Sequence, residues 1–374
     1  MGALTSRDRV LAAFNHQTPD RAPRDLGSKG SSLALGAYAD FLKHLGLDWK
    51  VEVLDKRLGL AVIHEEILQK FKIDTRYVYM GAGSQWDPRP DPAEDTFFDE
   101  WGGLLKRPRG GFYYDHVQSA LSGADLADLK NHPWPDPDDP ARFKGLKEKA
   151  KAYYDQGFAV GSYMKGCAET VWIMRGMENA YKDMIARPDY YQALSEKISS
   201  LLARMVANFF SEVRPYVQFC CVTCDLGTQI STIVSPDFAR KFILPHEKKI
   251  HDQIRQGGAK VAHHSCGAIF KLIPALIEIG VDILNPVQTA ARGMDPAELK
   301  RAYGRDICFW GGVDAQKLLP EGRPEEVALE AEKLLNILND QGGYLFGPSH
   351  DIQIFTPPAN VVAMFEAADR VSGL

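Results

Sequence analysis

The sequence lacks a bulk charge of either sign and any long apolar segment. Its 44 lysines and arginines nearly balance 49 aspartates and glutamates, which leaves a formal net charge of −5 over 374 residues. A protein that binds nucleic acid or an anionic membrane through its overall field carries a basic excess, so we predict neither partner. No run of about 18 uncharged apolar residues occurs, and this absence predicts that no segment spans a bilayer.

A secretory signal and a cysteine framework are also missing. The first fifteen residues mix Arg7, Asp8 and Arg9 into a helical pattern, unlike the apolar core of a signal peptide. The six cysteines lie in apolar, strand-like runs and are too few to form a disulfide scaffold in a chain of this length. We therefore predict reduced thiols and a cytoplasmic protein.

What the sequence does contain is a regular alternation of strand-like runs and helical patterns. Eight apolar runs qualify as strands, at residues 24–27, 74–80, 159–166, 217–225, 261–264, 282–285, 307–310 and 344–346. Helical patterns separate them, and a further helix at residues 6–14 precedes the first. This alternation predicts an α/β protein, a (β/α)8 TIM-type barrel with an N-terminal helical extension. An open, doubly wound sheet remains the alternative.

One segment after the second predicted strand departs from this alternation. Residues 81–140 are rich in proline, aspartate, glycine and tryptophan, and their many aromatic residues argue against disorder. We predict a structured, aromatic-rich insertion or lid, with a hairpin around residues 98–112, within a single barrel domain formed by residues 1–374. Before the second strand, residues 54–71 are predicted to form one helix.

Polar side chains collect just after the predicted strands, where a barrel places its ligand site. His264 and Cys266 form a His-x-Cys-Gly turn, and nitrogen and sulfur donors of this kind are typical zinc ligands. A histidine beside a cysteine at a strand end also occurs as ordinary packing. The other candidate site residues at this rim are Asp225, Asn285, Gln288, Asp314 and His350.

Several of these features have a purely structural explanation as well. Asp225 closes an apolar run, where an acid is either used chemically or caps the next turn. Asp314 lies in a glycine-rich turn, in which an acid is a usual turn residue. Cys221 and Cys224 have the C-x-x-C spacing, but residues three apart on a strand face opposite sides, so we interpret them as small strand hydrophobes. Residues 28–32 lack the spacing of a phosphate loop and are predicted to form a flexible loop above the site.

Five segments at the strand ends carry a shared pattern. They are Asp225-Leu226-Gly227-Thr228-Gln229, His264-Ser265-Cys266-Gly267, Asn285-Pro286-Val287-Gln288, Trp310-Gly311-Gly312-Val313-Asp314 and Pro348-Ser349-His350-Asp351. Together they resemble the uroporphyrinogen decarboxylase superfamily, and most of all its branch of zinc- and corrinoid-dependent methyltransferases. The resemblance implies zinc held by His264, Cys266 and, where relatives of this branch carry a cysteine, His350. Because decarboxylases carry a histidine in that turn and bind no metal, His350 is alternatively a substrate contact.

The resemblance implies a zinc-dependent methyltransferase. Such an enzyme moves a methyl group between a small O- or S-methylated substrate, or a thiol acceptor, and a corrinoid such as methylcobalamin. The chain lacks the Asp-x-His-x-x-Gly signature of corrinoid domains, so the corrinoid is expected on a partner protein. In this hypothesis Asp225 takes a proton or completes the coordination, whereas Asn285, Gln288 and Asp314 orient the substrate.

Two other hypotheses stay open at this point. The first is a metal-free lyase or decarboxylase on the same barrel that uses Asp225 and His350, and the second is a barrel that binds a corrinoid protein without chemistry. Decarboxylases of the superfamily carry an arginine-rich turn after the first strand that holds substrate carboxylates. Residues 27–32 contain no arginine, which disfavours decarboxylation of a tetrapyrrole. The sequence leaves both a monomer and a homodimer open.

Overall fold

Seven parallel strands form one curved sheet at the centre of the protein. The computed structural model describes residues 4–373. The strands are Val53–Asp55 (β1), Leu60–Ala61 (β2), Thr75–Tyr77 (β3), Thr96–Phe98 (β4), Leu104–Lys106 (β5), Asp115–Gln118 (β6), Ala159–Lys165 (β7), Phe219–Thr223 (β8), Lys260–His264 (β9), Ile283–Asn285 (β10), Cys308–Val313 (β11) and Tyr344–Pro348 (β12). The order in the central sheet is β12-β11-β10-β9-β8-β7-β3. The strands of the central sheet therefore lie side by side in chain order, as in a parallel barrel, and β4, β5 and β6 belong to an insertion between β3 and β7.

Residues 23–26 close the ring between the two edge strands of this sheet. On one side, Asp25 donates its backbone N–H to Phe346 O, and Phe346 donates its own to Pro23 O, both at 2.8 Å. On the other side, Asp74 donates its N–H to Arg24 O at 2.9 Å. The predicted TIM-type barrel is confirmed, although its first strand is reduced to a short bridge.

Helices cover the outside of the barrel. The α-helices are Ser6–Phe14 (α1), Leu35–His44 (α2), Glu65–Lys70 (α3), Asp128–Asn131 (α4), Leu146–Asp155 (α5), Cys167–Arg175 (α6), Met177–Ala186 (α7), Pro188–Val213 (α8), Pro236–Phe242 (α9), Leu244–Gln256 (α10), Ile273–Glu278 (α11), Pro296–Tyr303 (α12), Leu318–Glu321 (α13), Pro324–Leu338 (α14) and Pro358–Ser372 (α15), with 3-10 turns at Pro140–Phe143 and Phe270–Leu272. Within residues 4–373, no helix combines the length and the apolar character that crossing a bilayer requires.

The predicted N-terminal extension is α1, and it covers the amino end of the barrel. Thr5 caps the helix, since its hydroxyl accepts the Asp8 N–H at 3.1 Å. Phe14 is buried and packs edge-to-face against Phe219, the first residue of β8, with 5.4 Å between ring centroids. The opposite, carboxyl end of the strands is left for the site.

A buried carboxylate lies among aromatic rings in the barrel interior. Phe219 contacts both Tyr77 and Trp310, with ring centroids 5.9 and 5.6 Å apart. Asp25 accepts hydrogen bonds from the hydroxyls of Thr75 and Tyr77 at 2.5 Å and from Trp310 Nε1 at 2.9 Å. Complete burial raises the pKa of Asp25, and hydrogen bonds from these donors oppose that rise.

The predicted helix over residues 54–71 was wrong for most of its length. The chain instead forms an antiparallel hairpin of β1 and β2, and only the short α3 is helical. Gly59 turns the hairpin with a φ of +60°, and a Cβ there would lie 2.7 Å from Phe112 O. A residue with a side chain is strained at this position, so the local backbone and the neighbouring chain both favour the turn.

The insertion contains more sheet than the predicted hairpin over residues 98–112. β4, β5 and β6 form a three-stranded antiparallel sheet, because the chain returns at β6 to pair with the free edge of β5. A small core of Phe97, Leu105 and Tyr114 is buried beneath it. The aromatic residues of this segment therefore stabilise a folded insertion, as their abundance suggested.

Glu247 is a buried carboxyl that joins two outer helices. It lies on α10 with none of its surface exposed, and its Oε1 accepts the N–H of Ala168 near the start of α6 at 2.8 Å. Burial raises the pKa of Glu247 from 4.5 to about 7. Because the folded state holds this proton more tightly than the unfolded chain, the contribution to stability is complete below pH 4.5 and is lost as the pH rises through about 7.

Between pH 5 and pH 8 the free energy of unfolding should decrease less in Glu247→Gln than in the unaltered protein. The neutral amide keeps an acceptor for Ala168 and removes the cost of ionising a buried acid, so the fall should shrink by roughly 3 kcal/mol. Urea unfolding at both pH values measures the effect. Glu148→Gln, at an exposed position on α5, is the control and should follow the unaltered protein. Identical pH dependence in Glu247→Gln would contradict the expectation.

Candidate functional site

Three side chains with zinc-type donor atoms meet at the carboxyl ends of β9 and β12. One donor atom each from His264, Cys266 and His350 lies within 4.8 Å of the other two. His264 Nε2 is 3.5 Å from Cys266 Sγ. Two ligands of one tetrahedral zinc are separated by a similar distance, since zinc lies about 2.0–2.3 Å from nitrogen and sulfur. The structure thus brings together the three residues that the sequence predicted as ligands.

The proton of the His264 imidazole is fixed by Asn285. Asn285 Oδ1 lies 2.6 Å from His264 Nδ1, and Tyr163 donates its hydroxyl to the same oxygen at 3.4 Å. An oxygen at this position accepts the Nδ1 proton, which leaves the lone pair of Nε2 directed towards Cys266. Metal-binding histidines are commonly oriented in this way by a second side chain. Asn285, which we predicted to orient the substrate, is buried and contacts His264.

Negative groups surround the Cys266 thiol. Asp225 Oδ1 accepts the backbone N–H of Cys266 at 2.8 Å and lies 3.9 Å from His264 Nε2. Burial, and then the nearby carboxylates of Asp225 and Asp351, raise the pKa of Cys266 well above its usual range. A thiolate in these surroundings needs a compensating positive charge. The donor set therefore fits a divalent cation that binds sulfur and imidazole nitrogen.

His350 fits the same ligand set only with a defined protonation. Burial lowers the pKa of the His350 imidazole, which favours its neutral form. Its Nδ1 accepts the N–H of Asp351 at 2.8 Å and lies 3.6 Å from Asp351 Oδ2. A neutral imidazole that binds metal through Nε2 carries its proton on Nδ1. Ligation through Nε2 therefore requires a proton on Nδ1, which would replace the hydrogen bond that Nδ1 accepts from the Asp351 N–H.

A cavity of about 850 Å³ opens above these residues. Cys266, Gln288 and His350 line it, together with Gln229 and Gln316. Gln288 accepts the N–H of Gly267 at 2.6 Å and donates to Gln316 Oε1 at 2.9 Å. Gln288 thus supports the His-x-Cys-Gly turn and lines the cavity, and its contact with a substrate stays a prediction.

Asp314 and the loop at residues 28–32 differ from their expected placement. The Asp314 carboxylate accepts the N–H of Gln316 at 2.8 Å and lies outside the residues that line the cavity. This arrangement matches the turn-residue explanation. The predicted flexible loop is buried, since Ser28 and Ser32 are fully covered and Ser32 donates its N–H to Asp351 Oδ1 at 2.8 Å.

Sequence reasoning missed Tyr163, Gln316 and Asp351 as parts of this site. Asp351 ties the turn that carries His350 to the loop at residues 28–32, and burial raises its pKa to about 7. Strand alternation is a signal for Tyr163, which lies in the interior cluster of the barrel. No comparable signal identifies Gln316, because its contact with Gln288 depends on how two loops meet.

Comparison with known proteins places these motifs in a family. A sequence profile described as uroporphyrinogen decarboxylase (URO-D) matches residues 123–371. The methylcobamide:CoM methyltransferase MtbA of Methanosarcina acetivorans is 27% identical over 138 residues, which cover 36% of this chain and 38% of that protein. The uroporphyrinogen decarboxylase of Geobacter metallireducens is 23% identical over 190 residues, which cover 50% of this chain and 52% of that protein. The matched region thus spans about a third to a half of these relatives' lengths.

A solved structure extends the comparison to the whole fold. A methyltransferase from Methanosarcina mazei superposes with a TM-score of 0.66 and 15% identity, covering 98% of this chain and 99% of that one. This similarity supports the barrel and the order of its strands. Since the family profile covers well over half of the sequence and the motifs of the site lie within it, the chain belongs to the uroporphyrinogen decarboxylase family.

Proposed function

We propose that this protein is a zinc-dependent methyltransferase that moves a methyl group between a small substrate and a corrinoid carried by a partner protein. The observation that carries the proposal is the convergence of His264, Cys266 and His350 on one point, with a thiol among them. When bound there, zinc would act as a Lewis acid that keeps a substrate thiol or phenol ionised. The substrate class is accordingly an O- or S-methylated compound or a thiol acceptor.

The remaining residues of the site have roles that follow from their contacts. Asn285 holds the proton on Nδ1 of His264 and keeps Nε2 available. Asp225, whose side chain is 54% exposed beside His264, accepts the proton that a thiol or phenol releases on entering the site. Gln288 directs its amide towards the cavity and orients the substrate. Asp314 is left out of this set because its carboxylate caps a turn.

Elemental analysis combined with a transfer assay tests the proposal. Gently purified protein should contain about one zinc per chain, as a structural or catalytic site of this composition does. Methyl transfer between methylcobalamin and a panel of small thiols should then be visible in the absorption spectrum of the corrinoid. Protein that binds no zinc, and that transfers no methyl group after zinc is added, would contradict the proposal.

A metal-free lyase or decarboxylase is the second candidate, because several relatives are decarboxylases and His350 Nδ1 accepts a hydrogen bond from Asp351. The turn after the first strand disfavours it. Its one cation, Lys29, lies 2.9 Å from Asp55 and is already paired. A clamp for several substrate carboxylates would need free guanidinium groups. An active Cys266→Ser enzyme without metal would favour this candidate.

We expect Asn285→Leu to weaken zinc binding by about 10–100-fold, the usual cost of losing a partner that orients a metal-binding histidine. Without the oxygen acceptor, His264 is free to rotate and to place its proton on Nε2. Competition with a colorimetric chelator measures the affinity. Asn285→Asp keeps the acceptor oxygen and should retain most of the affinity. Unchanged zinc binding in Asn285→Leu would show that Asn285 does not position His264.

A further inference from the structure

Three glutamine side chains form a hydrogen-bonded chain in the cavity wall beside Cys266. Gln288 Oε1 accepts the N–H of Gly267, the residue that follows Cys266, at 2.6 Å. Gln288 Nε2 donates to Gln316 Oε1 at 2.9 Å, and Gln229 Nε2 donates to the same oxygen at 3.0 Å. All three glutamines line the cavity, and only Gln288 is buried. The chain of amides therefore leads from the His-x-Cys-Gly turn to the exposed part of the wall.

The backbone N–H of Gly267 fixes the orientation of each amide in this chain. Because a backbone N–H only donates, the Gln288 atom that it contacts is the oxygen, and the nitrogen of Gln288 is directed towards Gln316. Gln316 must therefore accept through its oxygen, and that oxygen also accepts from Gln229. Within residues 4–373, no protein group makes a hydrogen bond to Gln316 Nε2 or to Gln229 Oε1. The wall thus offers a ligand one amide N–H donor and one carbonyl acceptor.

Gln316 lies on a turn that several hydrogen bonds fix. Its backbone N–H donates to Asp314 Oδ1 at 2.8 Å, and Lys317 donates its N–H to Asp314 Oδ2 at 3.3 Å. Ala315 donates its N–H to the buried hydroxyl of Ser349 at 3.1 Å. Asp314 does not line the cavity, but it holds the backbone of a residue that does. Asp314 is therefore a positioning residue for Gln316.

The charged residues of the cavity wall disfavour an anionic substrate. Among the described residues, the lining includes the acids Glu321 and Asp351 and contains neither lysine nor arginine. Asp225, whose side chain is 54% exposed, adds a carboxylate beside the Cys266 turn. A carboxylate or sulfonate group of a substrate would lose hydration at this wall without gaining an ion pair with the protein.

We propose that Gln316 and Gln229 bind a hydroxyl group of an uncharged substrate whose reacting sulfur or oxygen lies at Cys266. A hydroxyl both donates and accepts, so it satisfies the Gln229 oxygen and the Gln316 N–H together. A carboxylate only accepts and would face the Gln229 oxygen, whereas an ammonium only donates and would face the Gln316 N–H. This inference rests on the proposed function and narrows its substrate class to a hydroxylated thiol, thioether or methyl ether.

Four S-methylated compounds that differ in one end group test the proposal in ligand-observed NMR titrations. The unaltered protein should bind 3-methylthio-1-propanol about tenfold more tightly than 3-methylthiopropionate, as two ordinary hydrogen bonds allow. In Gln316→Met, the affinity for the alcohol relative to butyl methyl sulfide should fall about fivefold, the cost of one such bond. Gln316→Glu keeps an oxygen acceptor for Gln229 and Gln288 but replaces the donor with a negative charge. It should shift the preference from the alcohol towards 3-methylthiopropylamine by about tenfold, which a purely structural role would not produce.

The matched control is Gln256→Met at the exposed end of α10, which should keep the affinities of the unaltered protein. Equal binding of the alcohol and the carboxylate by the unaltered protein, or unchanged relative affinities in both Gln316 variants, would overturn the inference. Zinc analysis and the transfer assay on the same preparations separate it from the proposed function. A protein without zinc or transfer whose preference still depends on Gln316 contradicts only the methyltransferase proposal, and an active zinc protein without the preference contradicts only this inference.

Discussion

Replacing Cys266 by serine is expected to reduce the zinc content of the purified protein below about a tenth of an equivalent and to abolish methyl transfer. A serine hydroxyl does not ionise near neutral pH and lacks the soft sulfur that zinc favours, so only the two imidazoles would remain as protein ligands. Metal analysis and the transfer assay on the same preparation measure both effects. This is the largest change in activity that we expect from a single substitution.

The control for this experiment is Cys167→Ser. Cys167 is buried and donates a hydrogen bond from Sγ to Ser195 O at 3.3 Å, which a serine hydroxyl can also make. Cys167 does not belong to the group of His264, Cys266 and His350, so this variant should keep its zinc and its activity. A Cys266→Ser protein that retains both would refute the assignment of Cys266 as a ligand.

Asp25→Ala is expected to cause the largest loss of stability. The substitution leaves the donors of Thr75, Tyr77 and Trp310 without their acceptor inside the barrel. Each buried donor without a partner costs about 1–3 kcal/mol, so a total loss of roughly 3–5 kcal/mol is reasonable once the burial cost of the carboxylate is removed. Denaturant unfolding followed by circular dichroism measures the loss.

One further variant separates the hydrogen bonds of Asp25 from its charge, and a second variant is the control. Asp25→Asn keeps one acceptor oxygen and removes the buried charge, so it should lose less stability than Asp25→Ala. Asp40→Ala, at an exposed position on α2, should change the free energy of unfolding by less than about 0.5 kcal/mol. Equal stability of Asp25→Ala and the unaltered protein would show that the interior tolerates the loss of its carboxylate.

Most of the barrel was predictable because its strands are short apolar runs that end in polar turns. The hairpin of β1 and β2 was not predictable, because its apolar residues also fit a helical repeat. Contacts outside the segment decide its conformation: Leu35 donates its N–H to Gly59 O at 2.8 Å, and Ala61 donates to Leu33 O at 2.9 Å. Local propensity contains no information about such pairing.

The candidate site also combines features that the sequence predicts with features that it does not predict. The meeting of His264, Cys266 and His350 follows from their places at strand ends, which a barrel brings to one rim. The contact between Asn285 and His264 depends on the register of β9 and β10 and on the direction of two side chains. The burial of the loop at residues 28–32 depends on a hydrogen bond to Asp351, 319 residues away. Neither of these two contacts can be predicted from the linear sequence.

Closure of the ring at Arg24 and Phe346 sets an order of events during synthesis. Ser32 leaves the ribosome 319 residues before its partner Asp351. At about 5–20 residues per second, this interval lasts on the order of tens of seconds. Throughout that time the first bridge of the barrel has no neighbour on one side, and His350 is absent. The barrel and the group of His264, Cys266 and His350 are therefore completed together, after translation has passed β12, and until then the open edge of the sheet is free to pair elsewhere.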